Sequence, residues 1–301
     1  HQPSAYGQVG YVQTQAGTRF VQVVQRIFRT QVGTQASYPF SQTNRLELGV
    51  GGTRYGFDVT ARVFNQFGRA QEIDVGQSRD PIYLGRASLA YVGDFSNSGF
   101  TSPLQGGRYR FQVTPQFGTR NFVSVLADYR RYLFRDPVTF AFRGLHRANY
   151  GAGQLDQGDD QFSDVFVRET LGDPYQLGFV RGYSFNSIFE EPKCQQQGIC
   201  KIGRLYGTRM ALGSVELRVP VLGPEILSLS TFQYLPTDLV LFADAGVAWT
   251  NEDLAELQFS SNTIERSNPN VSGSTLAQPV TSAGVSARVN VLGAIIFEAF
   301  Y

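Results

Sequence analysis

The sequence predicts an all-β protein, an antiparallel transmembrane β-barrel that forms a single domain over residues 1–301. Three observations support this prediction. Apolar and polar residues alternate with a period of two in many short segments, as in strands with two unlike faces. No apolar run approaches the roughly 18 residues of a membrane-spanning helix, whereas a spanning strand needs only about 9–11. Short turns and long polar inserts both occur, which is the asymmetry of an outer-membrane barrel.

The alternation is clearest where charged residues stand between apolar ones. Residues 57–63 set Phe57, Val59 and Ala61 against Asp58, Thr60 and Arg62, and residues 108–114, 123–130, 214–219 and 285–291 repeat the pattern. We expect about twelve strands, the last of them a hairpin of two, which makes twelve or thirteen. Their approximate ranges are 5–13, 18–35, 44–55, 56–66, 82–94, 107–119, 121–134, 138–150, 162–170, 205–219, 238–249 and 281–301.

The polar faces of these segments repeatedly carry arginine. A soluble sandwich shows the same alternation, but the number and length of the strands favour a barrel. So does the lack of a second apolar set that could form an inner core. Apolar faces would then meet lipid, and polar faces would line a wet lumen. Seven arginines are predicted to line that lumen: Arg62, Arg108, Arg110, Arg130, Arg143, Arg218 and Arg288.

Clusters of Gly, Asn, Asp and Pro mark the predicted turns. They are Gly51-Gly52, Asn97-Ser98-Gly99, Gly106-Gly107, Asp136-Pro137 and Gly223-Pro224. Three longer polar inserts occupy residues 151–161, 182–204 and 251–278. The last insert, rich in Ser, Asn and Glu, is predicted to be an external loop.

Composition agrees with a barrel and excludes several other classes. The 24 Phe and 15 Tyr suit the two membrane–water interfaces, where aromatic rings are favoured. A net charge of +1 gives no nucleic-acid-binding signature. With 2 His and 2 Cys in the chain, no metal site is expected, and no cofactor motif is present.

The two cysteines, Cys194 and Cys200, are too far apart in sequence for a Cys-x-x-Cys redox or zinc half-site. A local disulfide that closes a small loop is the favoured interpretation, and it would place the loop in an oxidising compartment. Two unpaired thiols are the alternative.

The tetrapeptide Val180-Arg181-Gly182-Tyr183 resembles the signature of the BamA/TamA-like outer-membrane insertase superfamily, the bacterial surface antigen barrels. Three later stretches resemble the same family in the same order. They are residues 214–220, residues 241–249 with an F-x-D-x-G-x-x-W pattern, and residues 283–289, which are similar to the family's G-x-G-x-R strand. The resemblance covers about 120 residues, while the first half of the chain has only general barrel character.

The resemblance implies that the tetrapeptide lies on a loop folded into the lumen, with residues 182–204 as part of that loop. It also implies that the arginine meets acidic residues on the barrel wall. By alternation, Glu216 and Asp244 both fall on the polar faces of their strands, so Arg181 could reach both. A guanidinium binds carboxylates through a planar fork of donors. A solvated Arg181 and ordinary pore-lining carboxylates are the alternative.

The chain also departs from the family it resembles. The family barrel has sixteen strands, and residues 295–301 are most similar to its penultimate strand. We therefore expect further strands beyond both ends. The periplasmic POTRA modules of the family are not visible in this sequence.

Three functions follow as hypotheses. The first is insertion or assembly of outer-membrane proteins, or protein translocation, with unfolded outer-membrane or secreted proteins as partners. The second is a non-insertase barrel that anchors a fused or partner periplasmic domain or complex, or a lipid- or solute-handling variant. The third is an anion-preferring porin, because the lumen face is rich in arginine.

All three hypotheses place the chain among the lipids of the outer membrane in a Gram-negative-type envelope. No hydrolase, metalloprotease or nucleotide-binding motif supports an enzyme. We therefore predict a protein without catalytic residues.

Overall fold

The structure is a computed structural model of the chain. It describes residues 2–14, 17–64, 70–74, 80–151, 169–171, 180–183, 205–225, 227–232, 234–249 and 279–301. Within these ranges it contains β1 (Gln2–Thr14), β2 (Gly17–Pro39), β3 (Asn44–Phe64), β4 (Ala70–Asp74), β5 (Ile82–Asp94), β6 (Asn97–Ser98), β7 (Pro103–Gly118), β8 (Phe122–Arg135), β9 (Val138–Tyr150), β10 (Glu169–Thr170), β11 (Tyr206–Gly207), β12 (Arg209–Gly223), β13 (Ser230–Thr231), β14 (Thr237–Trp249), β15 (Val280–Val291) and β16 (Ile295–Phe300). In the part of the chain so described, no helix is long and apolar enough to cross a membrane.

The long strands pair in the order β1-β2-β3-β5-β7-β8-β9-β12-β14-β15-β16. Neighbours such as β8 and β9, β9 and β12, and β12 and β14 run antiparallel. The short β13 joins β12 in parallel, and β10 and β11 form a separate two-stranded sheet. The prediction of an all-β, antiparallel fold is confirmed, and so is the C-terminal hairpin of β15 and β16.

One compact unit comprises His1–Ala36, Leu48–Ser88 and Pro115–Asn121. Here the predicted turn at Gly51-Gly52 is wrong, since β3 continues through it and the predicted strands 44–55 and 56–66 are one strand. The cause is a close approach of two backbones. A Cβ on Gly51 would lie 2.7 Å from the carbonyl oxygen of Val32. Glycine inside a strand permits such an approach without breaking the ladder.

The other compact unit comprises Ser37–Glu47, Leu89–Thr114 and Phe122–Tyr301. Its strands have one charged face, which carries buried residues such as Glu216, Arg218 and Asp244. The opposite, apolar face is exposed, with Val215 at 46% and Leu241 at 54%. This distribution is the inverse of a soluble protein, in which apolar faces are covered and charges meet water. It is the distribution expected of a spanning barrel, whose outer face meets lipid.

A small apolar cluster lies on the same side as the charged residues. Its buried members are Leu145, Leu171, Val180, Leu205, Met210, Leu212, Ala248 and Val280. The alternation of the strands predicts no second apolar set that could form an inner core, and this cluster shows that the prediction is wrong for the strand ends and the connection that contribute to it. The missed residues belong to the connection between β9 and β12 and to the strand ends beside it. Alternation within a strand does not reveal where a connection packs.

A charge placed on the apolar face tests its contact with lipid. Leu241→Arg is expected to lower the free energy of unfolding in lipid vesicles by about 2–4 kcal/mol, the cost of arginine on a lipid-facing strand near the bilayer centre. An exposed surface position of a soluble protein would change by only about 0.5 kcal/mol. Urea titration measures the difference. Asn97→Arg, in the exposed strand β6, is the matched control and should be close to neutral.

Candidate functional site

Residues 180–183 form a tight turn against the charged face. The Tyr183 amide donates to the Val180 carbonyl at 3.2 Å, and Gly182 adopts a φ of +83°. Glycine takes up this left-handed conformation without the steric penalty that other residues meet. The turn is held from behind, since the Val180 amide donates to the Leu171 carbonyl at 2.9 Å. As a result, the Arg181 side chain points toward β12 and β14.

Glycine on β14 makes room for this turn. A Cβ on Gly246 would lie 2.9 Å from Val180 Cγ2 and 3.1 Å from Leu171. Gly246 is buried on the same face of β14 as Asp244, two residues away. The absence of a side chain therefore lets the turn approach the strand closely enough for an arginine to reach the carboxylate.

Arg181 binds Asp244 through two parallel hydrogen bonds. Its Nε donates to Oδ2 at 2.8 Å, and its Nη2 donates to Oδ1 at 2.7 Å. The third nitrogen, Nη1, donates to Glu216 Oε1 at 2.7 Å. Ser214 completes the arrangement by accepting from Arg181 Nη2 at 3.1 Å and donating to Asp244 Oδ1 at 2.6 Å. Every nitrogen of the guanidinium is thus engaged by a group on β12 or β14.

The ring of Phe242 lies under the same guanidinium, with its centroid 3.8 Å from Arg181 Cζ. A cation over an aromatic face is attracted by the ring's quadrupole, and the attraction grows when water is excluded. Water is largely excluded here, since the Arg181 and Asp244 side chains are 9% and 2% exposed. Buried charge pairs of this kind stabilise only with good geometry, and the fork, the serine and the ring supply that geometry.

Glu216 is a shared acceptor for three arginines. Besides Arg181, it binds Arg218 Nε through Oε2 at 2.9 Å, and Arg288 through both of its oxygens at 2.9 and 3.1 Å. Arg288 also donates to Glu298 Oε1 at 3.0 Å. The three guanidinium groups therefore face three carboxylates, those of Glu216, Asp244 and Glu298.

The remaining arginines predicted to line a lumen have different surroundings. Arg130 and Arg143 both bind Asp128, with their nearest contacts at 2.8 and 3.1 Å. Arg110 Nη2 lies 2.8 Å from Glu47 Oε2. Arg108 is 60% exposed and 3.7 Å from Asp94. Arg62 is half-buried on β3, where its backbone is in register with Glu72.

Residues 95–103, here named the crossing turn, connect β5 to β7 and lie over the charged face. Thr101 Oγ1 and Ser102 Oγ both donate to Asp238 on β14, the second at 3.2 Å. Asn290 Nδ2 on β15 donates to the carbonyl of Phe100. In strand order β8, β9 and β12 stand between β7 and β14, so the turn reaches across three strands.

The crossing turn is also tied to the arginine network. Arg218 Nη1 donates to the carbonyl of Pro103 at 3.0 Å, while its Nε binds Glu216. The guanidinium of Arg218 therefore connects the crossing turn to the carboxylate that holds Arg181.

Removing the anchor of the crossing turn should loosen it. Asp238→Ala is expected to cost about 2–3 kcal/mol, because two hydrogen bonds to a charged acceptor are lost together. Amide hydrogen exchange of Gly99, which donates to the Ser102 carbonyl within the turn, and of Phe95, which donates to the Gly107 carbonyl on β7, should accelerate. Asp94→Ala is the control, since Asp94 accepts two bonds from Ser96 in an exposed position. An equal effect of the two substitutions would contradict the anchoring role.

Glu169 on β10 belongs to the connection between β9 and β12, outside the paired strands of the main sheet. It is buried, 2.9 Å from Arg147 Nε, and accepts from Asn149 Nδ2 at 3.1 Å. Burial raises the pKa of the Glu169 carboxyl above its usual range, against the attraction of Arg147. These contacts attach the connection to the end of β9, just before the turn that carries Arg181.

The structure thus brings Arg181, Glu216 and Asp244 together, with Val180, Gly182 and Tyr183 forming the turn. Cys194 and Cys200, and all of the predicted loops 182–204 and 251–278 except residues 182–183, lie outside the described residues. Sequence reasoning missed Ser214, Phe242 and Glu298 as partners. Even positions on β12 and β14 share the face of Glu216 and Asp244, and this signal could have found Ser214 and Phe242. Within the described ranges, no three His, Cys, Asp or Glu side chains are grouped as metal ligands.

Comparisons with known proteins bear on this arrangement. A family model for the Omp85 superfamily domain matches residues 7–291. The chain is similar to the crystal structure of BamA from Haemophilus ducreyi lacking POTRA domains 1-3, with a TM-score of 0.51 and 15% identity. That likeness covers 99% of this chain and 55% of the other, so the chain spans about half the length of that structure. No curated protein sequence matches the chain. At this identity the likeness shows the fold alone, and it confirms the predicted antiparallel transmembrane β-barrel.

Proposed function

Because the chain belongs to the Omp85 superfamily, we propose that it is an outer-membrane barrel that handles proteins. It inserts or assembles outer-membrane proteins, or translocates proteins across the membrane. Its partners are unfolded outer-membrane or secreted proteins on the inner side and lipids on the apolar face. It uses no cofactor and performs no covalent chemistry.

The observation that supports this proposal is the buried attachment of Arg181. A simple pore has no need of a chain segment that enters from the connection of two strands and binds the wall through three guanidinium–carboxylate hydrogen bonds. Such a segment fixes the charged face beside it and couples it to the connection between β9 and β12. A barrel that opens for a passing polypeptide needs an internal contact of this kind, which can form in one conformation and break in another.

Reconstitution into lipid vesicles tests the proposal. The protein is embedded in vesicles, a urea-unfolded outer-membrane barrel is diluted into them, and its folded fraction is followed on unheated gels. We expect folding to be several times faster than in empty vesicles, and Arg181→Ala to abolish most of the gain. Arg108→Ala, at an exposed arginine, should retain it. A parallel assay follows protection of an unfolded secreted protein from external protease, which reports translocation instead.

The second candidate is a non-insertase barrel that anchors a periplasmic domain or complex. It accounts for the well-packed Arg181 site as a purely stabilising feature. Under this alternative the folded protein accelerates neither folding nor translocation, and it co-purifies with a partner subunit. Failure of both assays by a protein that is itself folded would favour it.

The third candidate is an anion-preferring porin, suggested by the arginines of the charged face. Described carboxylates at Asp128, Glu216, Asp244 and Glu298 offset most of these cations. The inward turn at residues 180–183 also occupies that face. Steady single-channel conductance with a reversal potential shifted toward the anion would favour the porin, and its absence would exclude it.

A further inference from the structure

A cavity of about 410 Å³ lies over the charged face of the larger unit. Its volume falls within the usual range of small-ligand pockets. Its charged lining consists of five arginines and three carboxylates: Arg130, Arg143, Arg181, Arg218, Arg288, Glu216, Asp244 and Glu298. The wall of the cavity is therefore positive, and the question is where the excess charge is located.

The contacts divide the arginines into two groups. Arg181, Arg218 and Arg288 face the three lining carboxylates, so that this group is neutral. Arg130 and Arg143 share the single carboxylate of Asp128, each through its Nε and Nη2. One positive charge therefore remains at the pair Arg130 and Arg143.

The same two groups of arginines also differ in the solvent exposure of their side chains. The neutral group is covered, with side-chain exposures of 9% for Arg181, 10% for Arg218 and 12% for Arg288. Arg130 and Arg143 are 31% and 23% exposed, while Asp128 between them is only 12% exposed. The accessible edge of this pair is thus cationic, and the compensating carboxylate lies behind it. Glu298, the accessible acid of the cavity at 34%, is engaged by Arg288 and Ser286.

We propose that Arg130 and Arg143 form a binding site for an oxyanion, a phosphate or carboxylate group of a ligand that enters this cavity. Asp128 orients both guanidinium groups by holding the Nε and Nη2 side of each. Both arginines line the cavity, and the planar fork of a guanidinium can donate to two oxygens of one anion. In a partly dehydrated cavity this attraction is stronger than in bulk water. The site is independent of the cargo that the barrel handles.

Inorganic phosphate and N-acetylglutamate amide are the probes for the two kinds of oxyanion. Binding to the purified protein in detergent micelles is followed by calorimetry at constant ionic strength, with chloride as the background anion. We expect saturable binding of at least one probe. Phosphate alone would point to a phosphorylated ligand, and both together would extend the site to carboxylates. Saturation by neither probe overturns the proposal.

Three variants locate the site. Arg143→Gln is expected to weaken binding about tenfold or more, since one bidentate charged partner is lost. Asp128→Asn should instead strengthen binding, because the amide oxygen still accepts hydrogen bonds from both arginines while the negative charge that repels an anion is removed. Arg108→Gln, at the exposed arginine beside Asp94, should leave binding unchanged.

The folded state of every variant is checked by its mobility on an unheated gel. If Arg143→Gln does not fold, Arg143→Lys keeps the charge without the planar fork and should weaken binding by a smaller factor. Equal affinity of the wild type, the Arg143 variants and Asp128→Asn would overturn the proposal, even if phosphate binds elsewhere.

Discussion

Replacing Arg181 by alanine is expected to destabilise the folded protein by about 3–5 kcal/mol. The loss of stability arises at the two carboxylates that Arg181 binds. Asp244, whose side chain is 2% exposed, would lose both hydrogen bonds to the fork, and Glu216 would lose one of its three arginines. An ionised carboxylate left in a buried position without a counter-charge is the most costly outcome of breaking a buried pair.

Urea unfolding in lipid vesicles measures this loss. Trp249, the one tryptophan of the chain, lies on β14 five residues from Asp244 and reports the transition by its fluorescence. The free energy of unfolding of Arg181→Lys should lie between those of the wild type and Arg181→Ala, because lysine keeps the charge but lacks the bidentate fork. Arg108→Ala, at the exposed arginine, should change stability by less than about 1 kcal/mol.

A double substitution separates loss of the pair from loss of the fold. Arg181→Met combined with Asp244→Asn removes both charges, so its cost should be smaller than the sum of the two single costs. Additive costs, or an Arg181→Ala variant as stable as Arg108→Ala, would show that the contact contributes little.

Glu216→Gln is expected to destabilise the protein at least as much as Arg181→Ala. The substitution preserves shape and removes one charge, yet Arg181, Arg218 and Arg288 all bind this carboxylate. Their side chains are between 9% and 12% exposed, so water cannot replace the lost acceptor. Three cations would then face two carboxylates at short range, and we expect a loss of about 3–5 kcal/mol.

Glu47→Gln provides a matched comparison. The Glu47 side chain is as buried as that of Glu216, and it is bound by two arginines instead of three. These two arginines, Arg45 and Arg110, are 46% and 35% exposed. Solvent can stabilise those cations after the substitution, so the expected loss is only about 1–2 kcal/mol. A second change, Arg288→Gln in the Glu216→Gln background, should recover part of the stability by removing one of the repelling charges. Equal losses at Glu216 and Glu47, or no recovery, would contradict the role of Glu216 as a shared acceptor.

Local pattern predicted much of the fold because a strand has a period of two. Once the apolar and charged positions of β12 and β14 are distinguished, the face of the sheet on which Glu216 and Asp244 lie is determined. The turn conformation at Gly182 was likewise accessible from residue type. The same logic failed at Gly51, where glycine serves a close approach of β2 and β3 instead of a turn.

Contacts between distant segments could not be predicted in this way. Thr101 meets Asp238 across 137 residues, and Phe100 meets Asn290 across 190. Such pairings depend on the path of a connection over the sheet, which no periodicity encodes. Glu298 on β16 is a similar case, since it reaches Arg288 on β15 and joins the same network only through the C-terminal hairpin.

The exposed apolar face has a consequence for how such a chain changes over evolutionary time. Lipid tails have no fixed shape, so an exchange of Leu241 for Val, Ile or Phe leaves no cavity and meets no neighbour that must readjust. The charged face has the opposite character, because Arg181, Glu216 and Asp244 constrain one another in size and charge. Substitutions should therefore accumulate on one side of every strand and be purged on the other. Two barrels can then share a fold at 15% identity.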